Sequence, residues 1–206
     1  MKRTARRGAQ PPCTIRPLTQ ETWPALEDLF GPLGACNGCW CMYWRIGSEY
    51  KRRDRAANRE AFRQIVEHGP SPGLLAFDGD RAIGWLQLTP REELPWLERT
   101  WRLRRLDDEP VWSISCLYVR IGYRRRGVST ALVRAAIEAA RAAGAQVLEA
   151  YPLDAELTPS ASGTGFLPSF VASGFEVAAR HAPPRPIVRL RLNPVCGDPQ
   201  STCKGS

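Results

Sequence analysis

Short runs of apolar residues, each bounded by turn-forming residues, predict strands along most of the chain. The runs 74–77 and 82–88 flank the turn Asp78-Gly79-Asp80 and therefore predict a β-hairpin. A strongly apolar run at 111–119 predicts a further strand. The remaining predicted strands are 13–16, 147–151, 175–180 and 187–192.

Apolar residues at helical spacing predict helices between these strands. The first helix begins after Thr22, which places Pro24 in the first turn, and it ends at Gly31-Pro32. Two longer helices are predicted at 53–68 and 128–143, and a short one at 168–173. The segment 34–47 has no clear period.

The predicted order of elements is β-α-α-β-β-β-α-β-α-β-β. This order predicts an α/β fold with a mixed, partly antiparallel central sheet flanked by helices. The 206 residues fit a single domain, which we assign to residues 13–192. Residues 1–12 are basic and polar and predict a disordered arm, and residues 193–206 predict a polar C-terminal tail.

The composition is typical of a globular protein with a hydrophobic core. Hydrophobic residues make up 43% of the chain and charged residues 24%. No run of about 18 apolar residues is present, so no transmembrane helix is expected. The basic N-terminus lacks the apolar stretch of a secretion signal, and we expect a cytoplasmic location without membrane contact. The odd number of cysteines, seven, argues against a disulfide framework.

Positive charge is concentrated on arginine and in two places. The net charge is +8, with 26 arginines and 3 lysines. One basic group spans residues 51–63 and the other spans residues 120–126. Guanidinium groups bind phosphate oxygens bidentately, so these groups indicate an anionic partner, although a GC-rich genome also favours arginine over lysine.

The second basic group lies in a turn between a predicted strand and a long predicted helix. The first four amides of a helix lack partners within the helix, and the helix dipole adds positive potential there. Gly127 permits close approach of a phosphate to the backbone. The segment therefore predicts an anion-binding turn, with a solvated surface turn as the structural alternative.

This segment resembles the acyl-CoA signature Arg/Gln-x-x-Gly-x-Gly/Ala of the GNAT N-acetyltransferase superfamily. Arg124, Gly127 and Ser129 occupy the three fixed positions, with Ser129 in place of the usual Gly or Ala. The resemblance extends to Ile15-Arg16-Pro17-Leu18, to the hairpin and to Ser173-Gly174-Phe175-Glu176. The order of elements agrees over residues 13–192.

The resemblance implies an N-acyltransferase in which the amine of a small acceptor attacks the thioester of acetyl-CoA directly. The pyrophosphate is expected on the basic turn, and the pantetheine arm is expected against the end of the strand 113–119. The residues expected to bind the donor are Leu117, Val119, Arg124, Arg125, Arg126, Gly127, Val128 and Ser129.

The resemblance fails at the general acid. Many family members carry a tyrosine four residues before the late Gly-Phe, and that position is Phe170 here. Phe170 has no proton to donate, and Ser169 beside it is a candidate acid although it would point elsewhere on a helix. Otherwise another group serves, the thiolate leaves unassisted, or the leaving group is not a thiolate. Glu149, in a strand after the long helix, is a candidate base, although surface carboxylates without a catalytic role are more common.

An unusual insert, Cys36-Asn37-Gly38-Cys39-Trp40-Cys41-Met42-Tyr43-Trp44-Arg45, lies between the first two helices. Structural zinc requires four ligands, and Cys36, Cys39 and Cys41 have no fourth ligand nearby, so no metal is expected. In the resembling family this region forms part of the acceptor pocket. We therefore expect Trp40, Tyr43 and Trp44 to contact the acceptor, with packing in the core as the alternative.

Three functions are compatible with the sequence. The first is acetyl transfer from acetyl-CoA to a small amine. The second keeps the fold but uses an aminoacyl-tRNA as the acyl donor, which would explain both the basic groups and the missing tyrosine. The third is a nucleic-acid-binding module without catalytic activity, which predicts an affinity that falls steeply with salt.

Overall fold

A computed structural model describes residues 13–154 and 163–192 of the chain, and the predicted basic arm and polar tail lie outside these residues. The described residues form one seven-stranded sheet with helices on both faces. This is the mixed α/β architecture expected from the order of the apolar runs.

The strands follow the predicted positions closely. They are β1 (Thr14–Pro17), β2 (Gly73–Asp78), β3 (Arg81–Pro90), β4 (Trp112–Val119), β5 (Val147–Ala150), β6 (Glu176–Ala182) and β7 (Arg185–Arg191). Their order across the sheet is β1-β2-β3-β4-β5-β7-β6. Only the pair β4–β5 is parallel, because the helix after β4 carries the chain back across the sheet.

In the described part of the chain, six α-helices accompany the sheet. They are α1 (Trp23–Phe30), α2 (Tyr43–Ile46), α3 (Arg55–His68), α4 (Trp96–Arg99), α5 (Val128–Ala142) and α6 (Leu167–Val171). The long helices α3 and α5 match the two predicted from helical spacing. Asp54 caps α3 by accepting a hydrogen bond from the Ala56 amide, whereas the Thr22 side chain does not cap α1 in this way.

The core lies on both sides of the sheet. Helix α5 buries Leu132, Val133 and Ala136 against one face. Its close approach depends on Gly84 in β3, because a Cβ atom there would lie 2.9 Å from the Val128 Cγ1 atom. The opposite face is covered by α1, α3 and part of the insert, which pack around Trp85.

The insert between α1 and α3 has a regular element only in α2 and in the 3₁₀ helix that follows it (Gly47–Lys51). Asn37, Trp40 and Cys41 adopt positive φ angles of 49°, 43° and 59°. Left-handed residues interrupt both helical and strand geometry, which explains why the apolar residues of this segment show no period.

Candidate active site

Strands β4 and β5 separate in the middle of the sheet. They pair only from Trp112–Leu148 to Ile114–Ala150, whereas β4 continues to Val119. The segment 163–166 enters the gap, and the Gly163 carbonyl accepts a hydrogen bond of 2.9 Å from the Leu117 amide. Beyond Ile114, therefore, the edge of β4 no longer pairs with β5.

The turn after β4 leads directly into the N-terminus of α5. Arg125 and Gly127 adopt left-handed conformations with φ angles of 61° and 85°. Within the described residues, no atom accepts a hydrogen bond from the six backbone amides of residues 125–130. Consecutive free amides beside a helix N-terminus form a concave anion-binding site, and a 15-residue helix adds its dipole.

Three arginines surround these amides. Arg124 is half-buried, and its Nε atom donates to the Val119 carbonyl oxygen over 3.1 Å. The Arg126 guanidinium lies 5.5 Å from the centre of the Tyr123 ring. Arg125 is exposed. As far as the described residues show, the turn therefore combines unpartnered amides with guanidinium groups.

Of the other residues expected at the donor site, Ser129 is half-buried and the remaining three have buried side chains. Leu117, Val119 and Val128 belong to the core on the α5 face and are at most 8% exposed. Their side chains hold α5 against the sheet. Only their backbone atoms are available to a ligand.

A β-bulge marks the place where β4 leaves β5. Gln87 of β3 pairs with Cys116, but the next residue, Leu88, pairs with Ile114, so that Ser115 is the extra residue. The Ser115 carbonyl accepts a hydrogen bond of 2.9 Å from the indole Nε1 of Trp44. The Tyr43 ring packs against Trp44 with 4.6 Å between ring centres. Of the three predicted acceptor residues, Trp44 therefore contacts β4 at the bulge, and Tyr43 packs on Trp44.

Trp40, the third of these aromatic residues, lies elsewhere. It is 3% exposed and packs between Trp23 and Phe30, at ring distances of 6.1 and 5.4 Å. It contributes to the core under α1 and does not adjoin Tyr43 and Trp44.

Glu149 is buried in a network of ion pairs. Its Oε1 atom accepts hydrogen bonds from Arg91 over 2.5 Å and from the Tyr151 hydroxyl over 2.7 Å, and its Oε2 atom accepts from Arg189 over 2.8 Å. Burial and the nearby Glu149 carboxylate raise the pKa of Tyr151 well above its usual value, so the hydroxyl keeps its proton. Both side-chain oxygens of Glu149 are therefore occupied by hydrogen-bond donors.

Several buried polar side chains near the gap were not singled out from the sequence. The Gln87 amide and the hydroxyl groups of Thr89 and Ser115 have no hydrogen-bond partner among the described residues. Gln87 and Thr89 alternate with Leu86 and Leu88, which pack on the α5 face, so they belong to the opposite face. In the sequence, the only sign of these groups was the presence of polar residues within apolar strands. Such groups normally bind water or a ligand.

Comparison with protein families gives one match. The model of the acetyltransferase (GNAT) family matches residues 39–159, more than half of the chain. The protein belongs to the GNAT acetyltransferase family. The matched region includes the gap, the anion-binding turn and Trp44, and it confirms the resemblance found in the sequence.

Solved GNAT structures share the fold. The PaiA N-acetyltransferase of Thermoplasma acidophilum is 15% identical, with a TM-score of 0.51 over 87% of this chain and 98% of that one. An N-acetyltransferase of Staphylococcus aureus Mu50 is 14% identical, with a TM-score of 0.53 over 88% and 99%. An agmatine N-acetyltransferase is 13% identical, with a TM-score of 0.56 over 87% and 99%. Comparison with curated proteins gave no match.

In this GNAT protein Phe170 faces the core. It is fully buried in α6 and packs against Phe175 at 5.3 Å between ring centres. The neighbouring Ser169 is half-buried, and its carbonyl accepts a hydrogen bond from the Ser173 hydroxyl. The residue at the position of the missing tyrosine is therefore a packing residue.

One cysteine of the GNAT insert, Cys41, contacts Trp85. The Trp85 indole donates to the Cys41 sulfur over 3.1 Å, and Cys41 also contacts the Cys116 thiol. Burial raises the pKa of Cys39 to about 12, with a further contribution from Cys116. The described residues contain no group of three metal-ligating side chains with suitable geometry. No helix among them is long and apolar enough to cross a membrane.

Proposed function

We propose that this acetyltransferase transfers an acetyl group from acetyl-CoA to the amine of a small molecule. The observation that carries the proposal is the row of six amides, residues 125–130, which have no partner in the described part of the chain, beside the part of β4 that does not pair with β5. A donor with a pyrophosphate and an extended amide-containing arm complements both features.

The donor would bind mainly to the backbone. The pyrophosphate oxygens accept hydrogen bonds from the amides of residues 125–130, and Arg124, Arg125 and Arg126 supply positive charge. The arm follows the edge of β4 past Val119 and Leu117. A donor that bonds to the Leu117 amide replaces the Gly163 carbonyl. The Thermoplasma acidophilum relative was solved with coenzyme A, which is consistent with this donor.

The acceptor would approach from the side of Tyr43 and Trp44. Trp44 is fixed to the Ser115 bulge by its indole hydrogen bond, so its ring borders the point where the β4 edge becomes accessible. The amine nitrogen attacks the carbonyl carbon of the thioester, the C–S bond breaks, and CoA leaves as a thiolate. Holding both reactants in this arrangement is the main contribution of the protein.

Two protons must move during the reaction. The acceptor amine loses a proton, and the unpartnered groups of Gln87, Thr89 and Ser115 offer sites for water that accepts it. The base role predicted for Glu149 is not needed here, because both of its oxygens accept hydrogen bonds from arginines. Ser169 stays the predicted source of a proton for the thiolate, since Phe170 cannot supply one.

A tRNA donor receives less support from the surface charge. In the basic group at 51–63, Arg52, Arg59 and Arg63 form ion pairs with glutamates. These pairs reduce the charge available to a nucleic acid. Membership in an acetyltransferase family also argues against the alternative of a nucleic-acid-binding module without catalytic activity.

Isothermal titration calorimetry with acetyl-CoA tests the proposal. We expect saturable binding to the wild-type protein and a loss of at least about 100-fold in affinity for Gly127→Asp, because the added carboxylate repels the phosphates at the centre of the turn. Gly122→Asp is the matched control, since it adds the same charge where a Cβ atom meets nothing within 4 Å. Normal binding by a folded Gly127→Asp protein would exclude this donor site.

A further inference from the structure

The arginines of this protein divide into two groups by their partners. Nine of the arginines in the described part of the chain are buried or half-buried. Seven of them form ion pairs with carboxylates, namely Arg45, Arg63, Arg91, Arg105, Arg120, Arg141 and Arg189. Arg124 and Arg185 have no carboxylate partner among the described residues. Arg124 lies at the proposed donor site.

Arg185 lies at the other side of the gap. It begins β7, and its Nη1 atom donates to the Thr164 hydroxyl over 2.7 Å and to the Tyr151 carbonyl over 3.2 Å. Tyr151 follows the last residue of β5, where the two strands separate, and Thr164 belongs to the segment within the gap. These bonds fix the guanidinium at the wall of the gap.

The surroundings of Arg185 connect it to the acceptor side. Burial lowers its pKa, and the nearby Tyr43 hydroxyl and Arg102 guanidinium act on it in opposite directions. Tyr43 in turn packs on Trp44, whose ring centre is 6.5 Å from that of Tyr151. Arg185 therefore shares its environment with the two aromatic residues proposed to contact the acceptor.

Within residues 13–154 and 163–192, the half-buried Arg185 guanidinium has no counter-ion, which is an unfavourable arrangement. Arginine keeps its proton at neutral pH, and its hydration is reduced here by Tyr151 and Thr164. Arg102, a second cation, adds repulsion. An anionic ligand would reduce both the cost of burying the guanidinium and the repulsion from Arg102. The planar guanidinium fork is suited to a carboxylate.

We propose that Arg185 binds a carboxylate of the acceptor, so that the acceptor is an amine of the amino-acid class. This inference rests on the proposed acetyl transfer and specifies its second substrate. The carboxylate binds at Arg185 beside Tyr43, and the amine of the same molecule reaches the thioester at the β4 edge. A neutral or purely cationic amine would leave the guanidinium unpaired.

The test compares acceptors that differ only in the carboxylate. Amino acids are assayed beside their carboxamides, and arginine is assayed beside agmatine, which lacks the carboxylate. We expect kcat/KM to be about 10- to 100-fold higher for the acids, as a charge-assisted hydrogen bond provides. Arg185→Gln should remove most of this preference, mainly through KM, and Arg185→Lys should restore part of it.

Arg191→Gln is the matched control, because Arg191 is an exposed arginine of the same strand that pairs with Glu109. Acetyl-CoA affinity and melting temperature are measured for every variant, so that loss of folding is recognised. If acetyl-CoA does not bind the wild-type protein, the proposed function itself fails. If it binds, equal kcat/KM for acids and amides, or no binding of any amino acid to the CoA-loaded protein, overturns the assignment of Arg185.

Discussion

The indole Nε1 of Trp44 donates a hydrogen bond of 2.9 Å to the carbonyl of Ser115, the extra residue of the β4 bulge. One interaction therefore joins the insert to the strand whose edge is opened by the gap. Because Ser115 is the extra residue of the bulge, its carbonyl does not take part in the β3–β4 ladder, and it accepts the hydrogen bond of the indole instead. The position of Trp44, and of the Tyr43 ring that packs on it, thus depends on the β-bulge in the sheet.

Replacing Trp44 by phenylalanine should separate acceptor binding from donor binding. The change removes the hydrogen bond to Ser115, which costs about 0.5–1.5 kcal/mol of stability, and it frees the ring to move. We expect kcat/KM for the acceptor to fall several-fold while acetyl-CoA affinity is retained, as measured by kinetics and calorimetry. Trp112→Phe is the control, because Trp112 belongs to β4 but packs on the α5 face. Equal losses of donor and acceptor affinity would contradict an acceptor role for Trp44.

Removing the Glu149 charge should affect stability more than the chemical step. Glu149→Gln leaves the buried Arg91 and Arg189 without their shared carboxylate, and we expect a loss of about 3–5 kcal/mol in urea unfolding. Glu138→Gln, which breaks an exposed pair with Arg141 on α5, should cost no more than about 1 kcal/mol. A stable Glu149→Gln protein with a strongly reduced kcat would instead support the base role predicted from the sequence.

The cysteines of the insert should differ in reactivity. The pKa of Cys39 is raised to about 12 by burial, and that of the fully buried Cys41 is also raised, so neither thiol ionises appreciably near pH 8. Cys36 is exposed. Iodoacetamide at pH 8, followed by peptide mass spectrometry, should therefore label Cys36 well before Cys39 and Cys41. Faster labelling of Cys39 in the folded protein would show that the insert opens in solution.

Gly84 should control the donor site from a distance. A valine there would collide with Val128 and Leu132, at the beginning of α5, and would push the helix N-terminus away from the sheet. We expect weaker acetyl-CoA binding and a lower melting temperature. Gly79→Val, in the turn between β2 and β3, meets no atom within 4 Å but has a φ angle of 58°, so it should lower stability without a specific loss of donor affinity. Unchanged donor affinity in a folded Gly84→Val protein would contradict this dependence.

Much of the fold follows from local patterns in the sequence. The hairpin β2–β3 and the helix α5 were predicted within a few residues, because apolar spacing, Asp78-Gly79 and the terminal Gly144 all act locally. The turn at Arg124–Ser129 was also visible, since its glycine and arginines are adjacent in the chain. Features formed by a single backbone segment can be predicted from the sequence of that segment.

The acceptor side of the site could not be predicted in this way. Trp40 and Trp44 are four residues apart, yet left-handed turns send one into the core and the other to the β4 bulge. Glu149 meets Arg91 only because β5 is parallel to β4 and the loop after β3 folds over it. Arg185 was singled out because no carboxylate of the described residues pairs with it, and no local sequence pattern predicts that.

In the C-terminal hairpin β6–β7, the second strand lies on the inner side of the sheet, since β7 and not β6 pairs with β5. During synthesis on the ribosome, the edge of β5 therefore remains uncovered until residues 185–191 have emerged. Over that interval Glu149 also lacks Arg189, one of its two cationic partners. Folding of the central sheet is completed late, and an uncovered strand edge invites pairing with other nascent chains. The yield of native protein should consequently depend on translation speed and chaperone supply more than its final stability suggests.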